Sequence, residues 1–334
     1  MRWSIEQAWE WYDKQPWLVG CNFTPSTAIN QLEMWQADTY DPETIKRELG
    51  WAHGLGFNTV RTYLHDLAWT QDPTGFKKRI NHFLEITSKH SIRPLFVFFD
   101  DCWNTDPTPG PQPEPRPGVH NSGWVQSPGT AKVTDPSTWS VLEEYVRDIL
   151  EAFSKDQRVL MWDLYNEPGN NKLDTKSKPF LEQVFRWVRE AEPDQPISVG
   201  VWYDNPELNK LQLENSDIIT FHDYHPAEHL ENQIQELQKH NRPLICTEYM
   251  ARTRGSTFQT CLPVFKQYRV GCINWGLVSG KTQTIYPWGS EQGSPEPETW
   301  FHDIFRQDGT PYSSDEVDYI REITGAKKAK ASRN

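Results

Sequence analysis

At residues 162–168 the chain reads Trp-Asp-Leu-Tyr-Asn-Glu-Pro, where an apolar run ends in two polar side chains. The run begins at Val159 and has the length and composition of a strand that is buried on both faces. Asn166 and Glu167 follow at its tip, and Pro168 stops the strand because proline has no amide hydrogen to give to a sheet. The stretch therefore predicts a buried strand that delivers an amide and a carboxyl group to one end of a sheet.

Further short apolar runs recur along the chain and alternate with helical patterns. The predicted strands are Trp17–Cys21, Phe57–Tyr63, Pro94–Phe99, Val159–Leu164, Ile197–Val201, Ile218–Phe221, Leu244–Thr247 and Gly271–Leu277. A capping side chain followed by proline is typical of a helix N-terminus, and this pair begins at Asp41, Asp72, Asp135 and Asn205. Strands that are each followed by a helix predict a parallel sheet, closed into a single-domain (β/α)8 TIM barrel. The competing open, doubly wound sheet requires a glycine-rich phosphate-binding turn after an early strand, and the sequence has none.

Composition excludes several classes of partner. The chain has 334 residues and a formal net charge of -12, which argues against nucleic acid because phosphate binding needs basic surface. Mean hydropathy is -0.75 and no run of 18 apolar residues occurs, so no membrane span is expected. The barrel domain is predicted over residues 1–325. Residues 326–334, with the basic run 327–330, are predicted to be a disordered polar tail.

Cysteine usage and the N-terminus bear on the cellular compartment. The five cysteines are scattered without a C-x-x-C pair, and Cys21, Cys246 and Cys272 lie in strand-like runs where a reduced, buried thiol is expected. Residues 1–6 have no apolar segment of the kind found in secretory signals. These features favour a cytoplasmic protein, and a mature secreted form whose signal was removed stays open.

Two long connections interrupt the alternation, after strands three and eight. Residues 101–134 and 279–297 are rich in proline, glycine and tryptophan, and both follow strands at the barrel face where active sites form, so we expect them to wall a cleft. For residues 107–117, a stiff solvated loop without ligand contact is the alternative. A tryptophan ring can stack on the C–H face of a pyranose, or it can pack in the core. The candidates for stacking on a sugar are Trp35, Trp103, Trp124, Trp202 and Trp288.

Two glutamates stand at the ends of predicted strands. Glu167 follows strand four and Glu248 ends strand seven, and barrel closure would bring both to one rim. A single glutamate at a strand end is more often an ion-pair partner or a helix cap. A pair on one rim is what glycoside hydrolysis needs: one protonated carboxyl and one carboxylate, roughly 5–5.5 Å apart in a retaining enzyme.

On the basis of these residues, the chain resembles the retaining glycoside hydrolases of clan A, and within the clan it resembles the family 5 cellulase-like group. The resemblance extends from Trp17 to Phe305 and rests first on Asn-Glu at the end of strand four and a glutamate at the end of strand seven. It implies that Glu167 is the acid/base, that Glu248 is the nucleophile, and that Asn166 hydrogen-bonds the sugar 2-OH.

Other positions match the same pattern. The resemblance places Arg61 beneath the nucleophile, where its fixed charge would keep a carboxylate ionised. It places His222 and Tyr224 beside the two glutamates, with Tyr224 orienting Glu248, and Trp275 as the floor of the subsite for the reacting sugar. For His222 a satisfied strand-end histidine is the alternative.

Strand three departs from the family pattern. Family 5 members commonly end this strand with a histidine that contacts substrate, and this chain has Asp100-Asp101-Cys102-Trp103 instead. Asp100 and Asp101 either bind sugar hydroxyls, which short carboxylates accept well, or cap the next element.

The resemblance implies hydrolysis of a β-linked oligo- or polysaccharide of the β-glucan, xylan or mannan class by double displacement, without cofactor or metal. Glu248 would attack the anomeric carbon. Glu167 would protonate the leaving oxygen, with a pKa raised by a partly apolar site and the neighbouring negative charge, and would then deprotonate water. The glycan, and endo against exo action, stay open.

Two other functions compete with this one. A carbohydrate-binding barrel without catalysis is disfavoured because both glutamates are kept. A metal-dependent barrel hydrolase could use residues 222–225, which read His-Asp-Tyr-His. Strand alternation should place His222 and Asp223 on opposite faces, and strand one has no His-x-His, so this alternative is also disfavoured. A serine hydrolase would need G-x-S-x-G, which the sequence lacks.

Overall fold

The computed structural model describes residues 1–326, so the tail predicted for residues 326–334 lies almost entirely outside the described residues. Within them, parallel strands run in the order β5-β4-β3-β2-β1-β8-β7-β6. The strands are β1 Val19–Asn22, β2 Thr59–Tyr63, β3 Arg93–Asp100, β4 Met161–Asn166, β5 Ile197–Ser198, β6 Ile219–His222, β7 Leu244–Tyr249 and β8 Gly271–Trp275. The predicted (β/α)8 TIM barrel is confirmed.

Backbone pairing closes the ring between β5 and β6. No continuous ladder joins these two strands, but Val201 and Phe221 form an isolated parallel bridge. The amide of Val201 donates to the carbonyl of Thr220 at 3.0 Å, and the amide of His222 donates to the carbonyl of Val201 at 3.0 Å. The barrel is therefore continuous beside β5, which is its shortest strand.

Helices alternate with the strands around the outside of the barrel. They are α1 Ile5–Asp13, α2 Gln31–Trp35, α3 Pro42–Gly54, α4 Asp66–Gln71, α5 Pro73–Lys89, α6 Thr130–Val133, α7 Trp139–Phe153, α8 Lys178–Glu190, α9 Pro206–Asn215, α10 Ala227–Gln238, α11 Phe258–Gln267 and α12 Ser314–Thr324. The predicted caps hold: the side chains of Asp41, Asp72 and Asn205 accept amide hydrogens of the first turns of α3, α5 and α9. Asp135 caps a short 3-10 turn that precedes α7. None of the helices described over residues 1–326 has the length and apolar character needed to cross a membrane.

Two apolar clusters form the core, on the two sides of the strands. Alternation along β3 sends Phe96 and Phe98 outward into the larger cluster, between sheet and helices, and sends Leu95 and Val97 into a smaller cluster inside the barrel. Helix α1 precedes β1 and places Ala8 and Tyr12 in that inner cluster. The Tyr12 hydroxyl donates to the carbonyl of Arg269 at 2.8 Å, which anchors the helix to the loop before β8. The inner core is thus covered at the N-terminal end of the strands, and the other end is left for a site.

Candidate active site

A cavity of about 410 Å³ opens at the C-terminal ends of the strands. Loops after β3 and β8 form part of its wall, as predicted, through Cys102, Trp103, His120 and Trp288. Residues 107–117 do not line it, so this part of the loop behaves as the solvated alternative described. The predicted site residues that do line the cavity are Trp103, Trp124, Asn166, Glu167, Trp202, His222, Tyr224, Glu248, Trp275 and Trp288.

Glu248, near the end of β7, is held by three hydrogen bonds. Its Oε1 accepts from Arg61 Nη1 at 2.8 Å and from the Tyr63 hydroxyl at 3.0 Å, and its Oε2 accepts from the Tyr224 hydroxyl at 2.8 Å. Both oxygens of the carboxylate are therefore oriented from opposite sides, and a fixed positive charge lies next to one of them.

Arg61 is fully buried and does not reach the cavity. Besides Glu248, its guanidinium donates to Asp163 Oδ2 at 2.9 Å, to Asn166 Oδ1 at 2.7 Å and to Asn22 Oδ1 at 3.0 Å. A buried charge is tolerated only when it is paired and hydrogen-bonded, and Asp163 and Glu248 supply the pairing. The side chain of Arg61 therefore lies beneath the site, where it supports Glu248 and Asn166 and does not contact the cavity.

Glu167 follows β4 directly and has a positive φ of 45°. Its Oε1 lies 2.9 Å from His222 Nδ1, and its Oε2 accepts from Asn170 Nδ2 at 2.7 Å and from the Cys102 thiol at 3.1 Å. Burial raises the pKa of this carboxyl, but the hydrogen bond and charge of His222, with the bonds from Cys102 and Asn170, outweigh burial. The pKa of Glu167 is lowered, so the raised pKa expected from sequence is wrong for the free enzyme.

The two glutamates face each other across His222. One oxygen of each carboxyl and one imidazole nitrogen of His222 lie within 4.8 Å of one another, and His222 Nδ1 is 3.5 Å from Glu248 Oε2. The other imidazole nitrogen, Nε2, is buried and has no hydrogen-bond partner among residues 1–326. His222 therefore contacts both glutamates through Nδ1.

Asp100 and Asp101 at the end of β3 are both buried, and neither lines the cavity. Asp100 accepts from Asn166 Nδ2 at 2.9 Å and from the Trp124 indole at 2.7 Å, which fixes the amide beside Glu167. Asp101 accepts from the Gly169 amide at 2.8 Å. The prediction that they bind sugar hydroxyls is therefore wrong, and neither aspartate caps the next element, since the N-cap of α6 is Gly129 without a side-chain bond.

Burial also changes the acidity of these two carboxyls. It raises the pKa of Asp100 to about 6 and that of Asp101 to about 7, despite the hydrogen bonds that each accepts. Just after strand three, the residue that faces the cavity is instead Cys102, whose thiol contacts Glu167 and whose pKa is raised by burial. The departure from the family pattern thus places a thiol in the cavity wall.

Some of the candidate tryptophans line the cavity, and one is buried in the hydrophobic core. Trp103 and Trp288 are each 38% exposed and line the cavity together with Trp124, Trp202 and Trp275. Trp35 is fully buried and does not line it. Its indole nitrogen donates to the Tyr63 carbonyl at 2.7 Å and its ring packs against Phe76 and Phe83. The prediction of sugar stacking by Trp35 is therefore wrong, because helix α2 turns the ring into the outer core.

Sequence reasoning missed several residues of the site. Tyr63 lies two positions after Arg61 on β2, so strand alternation was a usable signal for its place beside Glu248. Asp163 was quoted within the strand-four stretch but was not given its role as the ion partner of Arg61. Asn170 and Arg254 also line the cavity, and nothing in the local sequence pattern marks them because loop geometry brings them there.

Two groups of residues within 1–326 could hold a metal ion. One is Glu167, His222 and Glu248, and the other is Asp223, His225 and His229, with ligand atoms within 4.8 Å of one another in each group. Adjacent residues His222 and Asp223 fall in different groups, as strand alternation predicts.

Comparison with known proteins locates the chain among glycosidases. Residues 118–280 match the family model Cellulase (glycosyl hydrolase family 5), and this segment contains Glu167 and Glu248. A comparison with curated proteins gives no significant match.

Several solved structures share the fold. A GH5_18 variant from Streptomyces cattleya in complex with Manb1-4GlcNAc is 13% identical, aligns over 91% of this chain and 80% of its own, and has a TM-score of 0.66. The exo-beta-1,4-mannosidase Op5Man5 from Opitutaceae bacterium strain TAV5 is 16% identical over 92% of this chain and 60% of its own, with a TM-score of 0.63. The endo-1,4-beta-mannanase from Rhizomucor miehei is 13% identical over 91% of this chain and 98% of its own, with a TM-score of 0.57. The family match over residues 118–280 supports the resemblance predicted from sequence, and the chain is a glycosidase that is similar to the family 5 cellulase-like glycoside hydrolases of clan A.

Proposed function

We propose that this chain hydrolyses β-glycosides with retention of configuration, with Glu248 as nucleophile and Glu167 as acid/base, in a catalytic domain spanning residues 1–325. The observation that carries the proposal is the separation of the two carboxyls, whose nearest atoms lie within 4.8 Å inside the cavity. Retaining enzymes hold these groups roughly 5–5.5 Å apart, whereas inverting enzymes leave about 6.5–9.5 Å for a water molecule.

In the first displacement, a Glu248 oxygen bonds to the anomeric carbon while the glycosidic C–O bond breaks. Glu167 gives its proton to the departing oxygen, so the aglycone leaves as an alcohol. The contacts from Arg61, Tyr63 and Tyr224 keep the attacking carboxylate in one orientation before the sugar arrives. Asn166 lies at the cavity wall between Asp100 and Arg61, and its fixed amide is available to the sugar 2-OH.

In the second displacement, Glu167 takes a proton from water, and the water oxygen displaces Glu248 from the anomeric carbon. Glu248 has by then lost its negative charge in the glycosyl ester, which lowers the pKa of Glu167 further and favours its action as a base. The first step needs the opposite protonation state. His222 contacts Glu167 at 2.9 Å and is placed to share the proton that the leaving group receives.

The proposed substrates are β-mannosides. The solved structures that share the fold include an exo-beta-1,4-mannosidase, an endo-1,4-beta-mannanase and a GH5_18 variant holding Manb1-4GlcNAc. In this chain, Trp103, Trp202 and Trp288 line the cavity, and tryptophan rings suit packing against the C–H side of a pyranose.

A panel of aryl β-mannoside, β-glucoside, β-xyloside and β-galactoside tests both the reaction and the substrate. We expect turnover of the β-mannoside, a fall of about 10²- to 10⁴-fold in kcat for Glu167→Gln, and loss of turnover for Glu248→Ala. Glu291→Gln is the matched control, since Glu291 is exposed in the loop after β8 and does not line the cavity. Product configuration read by proton NMR should be β at the first time points.

The same experiment separates the competing functions. Early α-product would contradict retention. Sugar binding without turnover in the wild-type chain would indicate a non-catalytic module, and chelator-sensitive turnover that survives both glutamate substitutions would indicate a metal-dependent hydrolase.

A further inference from the structure

A second cluster of titratable side chains lies at the edge of the cavity, in the segment between β6 and α10. The Asp223 carboxylate has His225 Nδ1 at 3.0 Å from Oδ1 and His229 Nδ1 at 2.9 Å from Oδ2. The two imidazole rings are neighbours in a tilted arrangement, with centroids 4.1 Å apart and planes inclined by 35°. Both rings therefore direct the same type of nitrogen at one carboxylate.

The carboxylate of Asp223 is held by neutral donors and histidines, including the His225 amide, which donates to Oδ1 at 2.8 Å. Its side chain is fully buried, and over residues 1–326 its ion-pair partners are these two histidines, with no lysine or arginine. A buried carboxylate is costly unless a cation faces it, and neutral imidazoles provide hydrogen bonds without charge. A metal cation between the three side chains would supply the missing charge.

We propose that Asp223, His225 and His229 bind one divalent transition-metal ion of the Zn²⁺ class. Two imidazoles and a carboxylate are a ligand set typical of zinc, with a fourth position left open. Zinc bonds of about 2.0–2.1 Å place neighbouring tetrahedral ligand atoms about 3.3 Å apart. Here each histidine nitrogen lies 2.9–3.0 Å from one oxygen of Asp223, and the ligand atoms of the three side chains lie within 4.8 Å of one another. Both histidine side chains are about half exposed, which gives the ion a path from solvent.

The ion would stabilise the segment that carries two residues of the active site. Asp223 lies between His222 and Tyr224, and its amide donates to the Glu248 carbonyl at 2.9 Å. His229 lies in the first turn of α10. Binding would therefore fasten this segment to α10, a structural role that is separate from the hydrolytic chemistry.

The other group that could hold a metal, Glu167, His222 and Glu248, is the less suitable of the two. Glu248 already accepts three hydrogen bonds, and one of them comes from the guanidinium of Arg61. A second cation there would face the positive charge of Arg61 at short range.

Titration of the metal-stripped full chain with ZnCl₂ near neutral pH, followed by calorimetry, tests the proposal. We expect one Zn²⁺ per chain and a dissociation constant weakened by more than about tenfold in His229→Gln, since even substitutions outside the ligand shell cost about 10- to 100-fold. His240→Gln is the matched control, because His240 is exposed just beyond the end of the same helix. Glu167→Gln should bind Zn²⁺ as the wild type does.

His229 does not line the cavity, so His229→Gln is expected to keep wild-type hydrolysis when no metal is present. Circular dichroism checks its fold, and His225→Gln serves as the second ligand variant if His229→Gln is misfolded. Absence of Zn²⁺ uptake, uptake unchanged by the ligand substitutions, or uptake lost in Glu167→Gln would each overturn the assignment.

Discussion

Glu167 is a non-glycine residue in the left-handed region of backbone conformation, with φ of 45°. Such residues are uncommon because the side chain crowds the backbone, and they persist where surrounding contacts hold them. Here the contacts come from His222, Cys102 and Asn170, which arrive from three different segments. The conformation turns the carboxyl from the strand direction toward Glu248, so backbone strain and acid/base geometry are connected at a single residue.

Replacement of His222 by glutamine should change the pH dependence of hydrolysis. After burial, the contacts with His222 are the largest influences on the pKa of Glu167, and they lower it, so their loss should raise that pKa. A general acid is active only while protonated, and activity therefore falls as pH rises through its pKa. The basic limb of kcat/KM should move to higher pH in the variant.

The measurement is the pH profile of kcat/KM on an aryl β-mannoside for His222→Gln and the wild type. His120→Gln is a suitable control, because His120 lines the same cavity but its ring nitrogen contacts the Tyr286 carbonyl instead of a glutamate. A basic limb that stays in place or moves to lower pH would contradict this account of Glu167.

At the scale of elements, strand ends decide which carboxyls reach the cavity. Asp100 and Asp101 are adjacent at the end of β3, and alternation sends Asp100 to Asn166 and Asp101 to the loop after β4. That loop also contributes Ser177, whose hydroxyl donates to Asp101 at 2.6 Å, while the Tyr165 hydroxyl donates at 2.6 Å to the other oxygen. Asp101 thus joins β3 to the segment that follows Glu167, the proposed acid/base.

The pH dependence of stability should report this buried carboxyl. The pKa of Asp101 is about 7 in the folded chain, because of burial, against about 3.9 when unfolded. A raised pKa favours the protonated form, so its contribution is complete below the unfolded pKa and is lost as pH rises through the folded one. Relative to Asp101→Asn, which does not titrate, the wild-type free energy of unfolding should fall by about 2 kcal/mol between pH 5 and pH 8.

Urea unfolding of both chains at the two pH values measures the difference. Asp106→Asn, at an exposed aspartate in the loop after β3, is the control. A difference between wild type and Asp101→Asn that is the same at both pH values would show that Asp101 does not titrate in this range.

The sequence was sufficient for the strand order and for the pair of glutamates, because both follow from periodic patterns. Strand bounds were less certain: β5 was predicted as Ile197–Val201 and is Ile197–Ser198, with Val201 joined to β6 by a single bridge. Trp35 and the aspartates of β3 were misplaced for a different reason. Whether a polar or aromatic side chain at a strand or loop position faces a cavity or the core depends on neighbouring elements that a local pattern does not contain.

On the scale of the whole molecule, the barrel interior has a closed end and an active end. Tyr12 of α1 covers the N-terminal end of the strands, where it packs against the inner apolar cluster. At the other end, Tyr63, Cys102 and Trp124 belong to the same cluster and also surround the cavity or its glutamates. Residues at the N-terminal end of the strands therefore contribute to stability alone, whereas residues at the cavity end contribute both to stability and to the site.

Truncation of Tyr12 tests the separation. Tyr12→Ala should lower the free energy of unfolding by about 3–5 kcal/mol, because a buried aromatic ring is replaced by a cavity. KM for the aryl β-mannoside should not change, since the active site is at the opposite end of the barrel. Tyr12→Phe, which removes only the hydroxyl that donates to Arg269, should cost about 1 kcal/mol. A changed KM in the folded Tyr12→Ala chain would contradict this separation.

Near the cavity, residues of the inner apolar cluster belong both to the core and to the site, and this limits how such a chain can evolve. A substitution at Tyr63 or Trp124 alters the core and the site together, so changes of specificity are costly there. The exposed rings of Trp103 and Trp288 belong to neither apolar cluster, and each stands on a loop outside the barrel. New glycan preferences can therefore arise by mutation of these two loops, while the residues that perform the reaction are inherited unchanged.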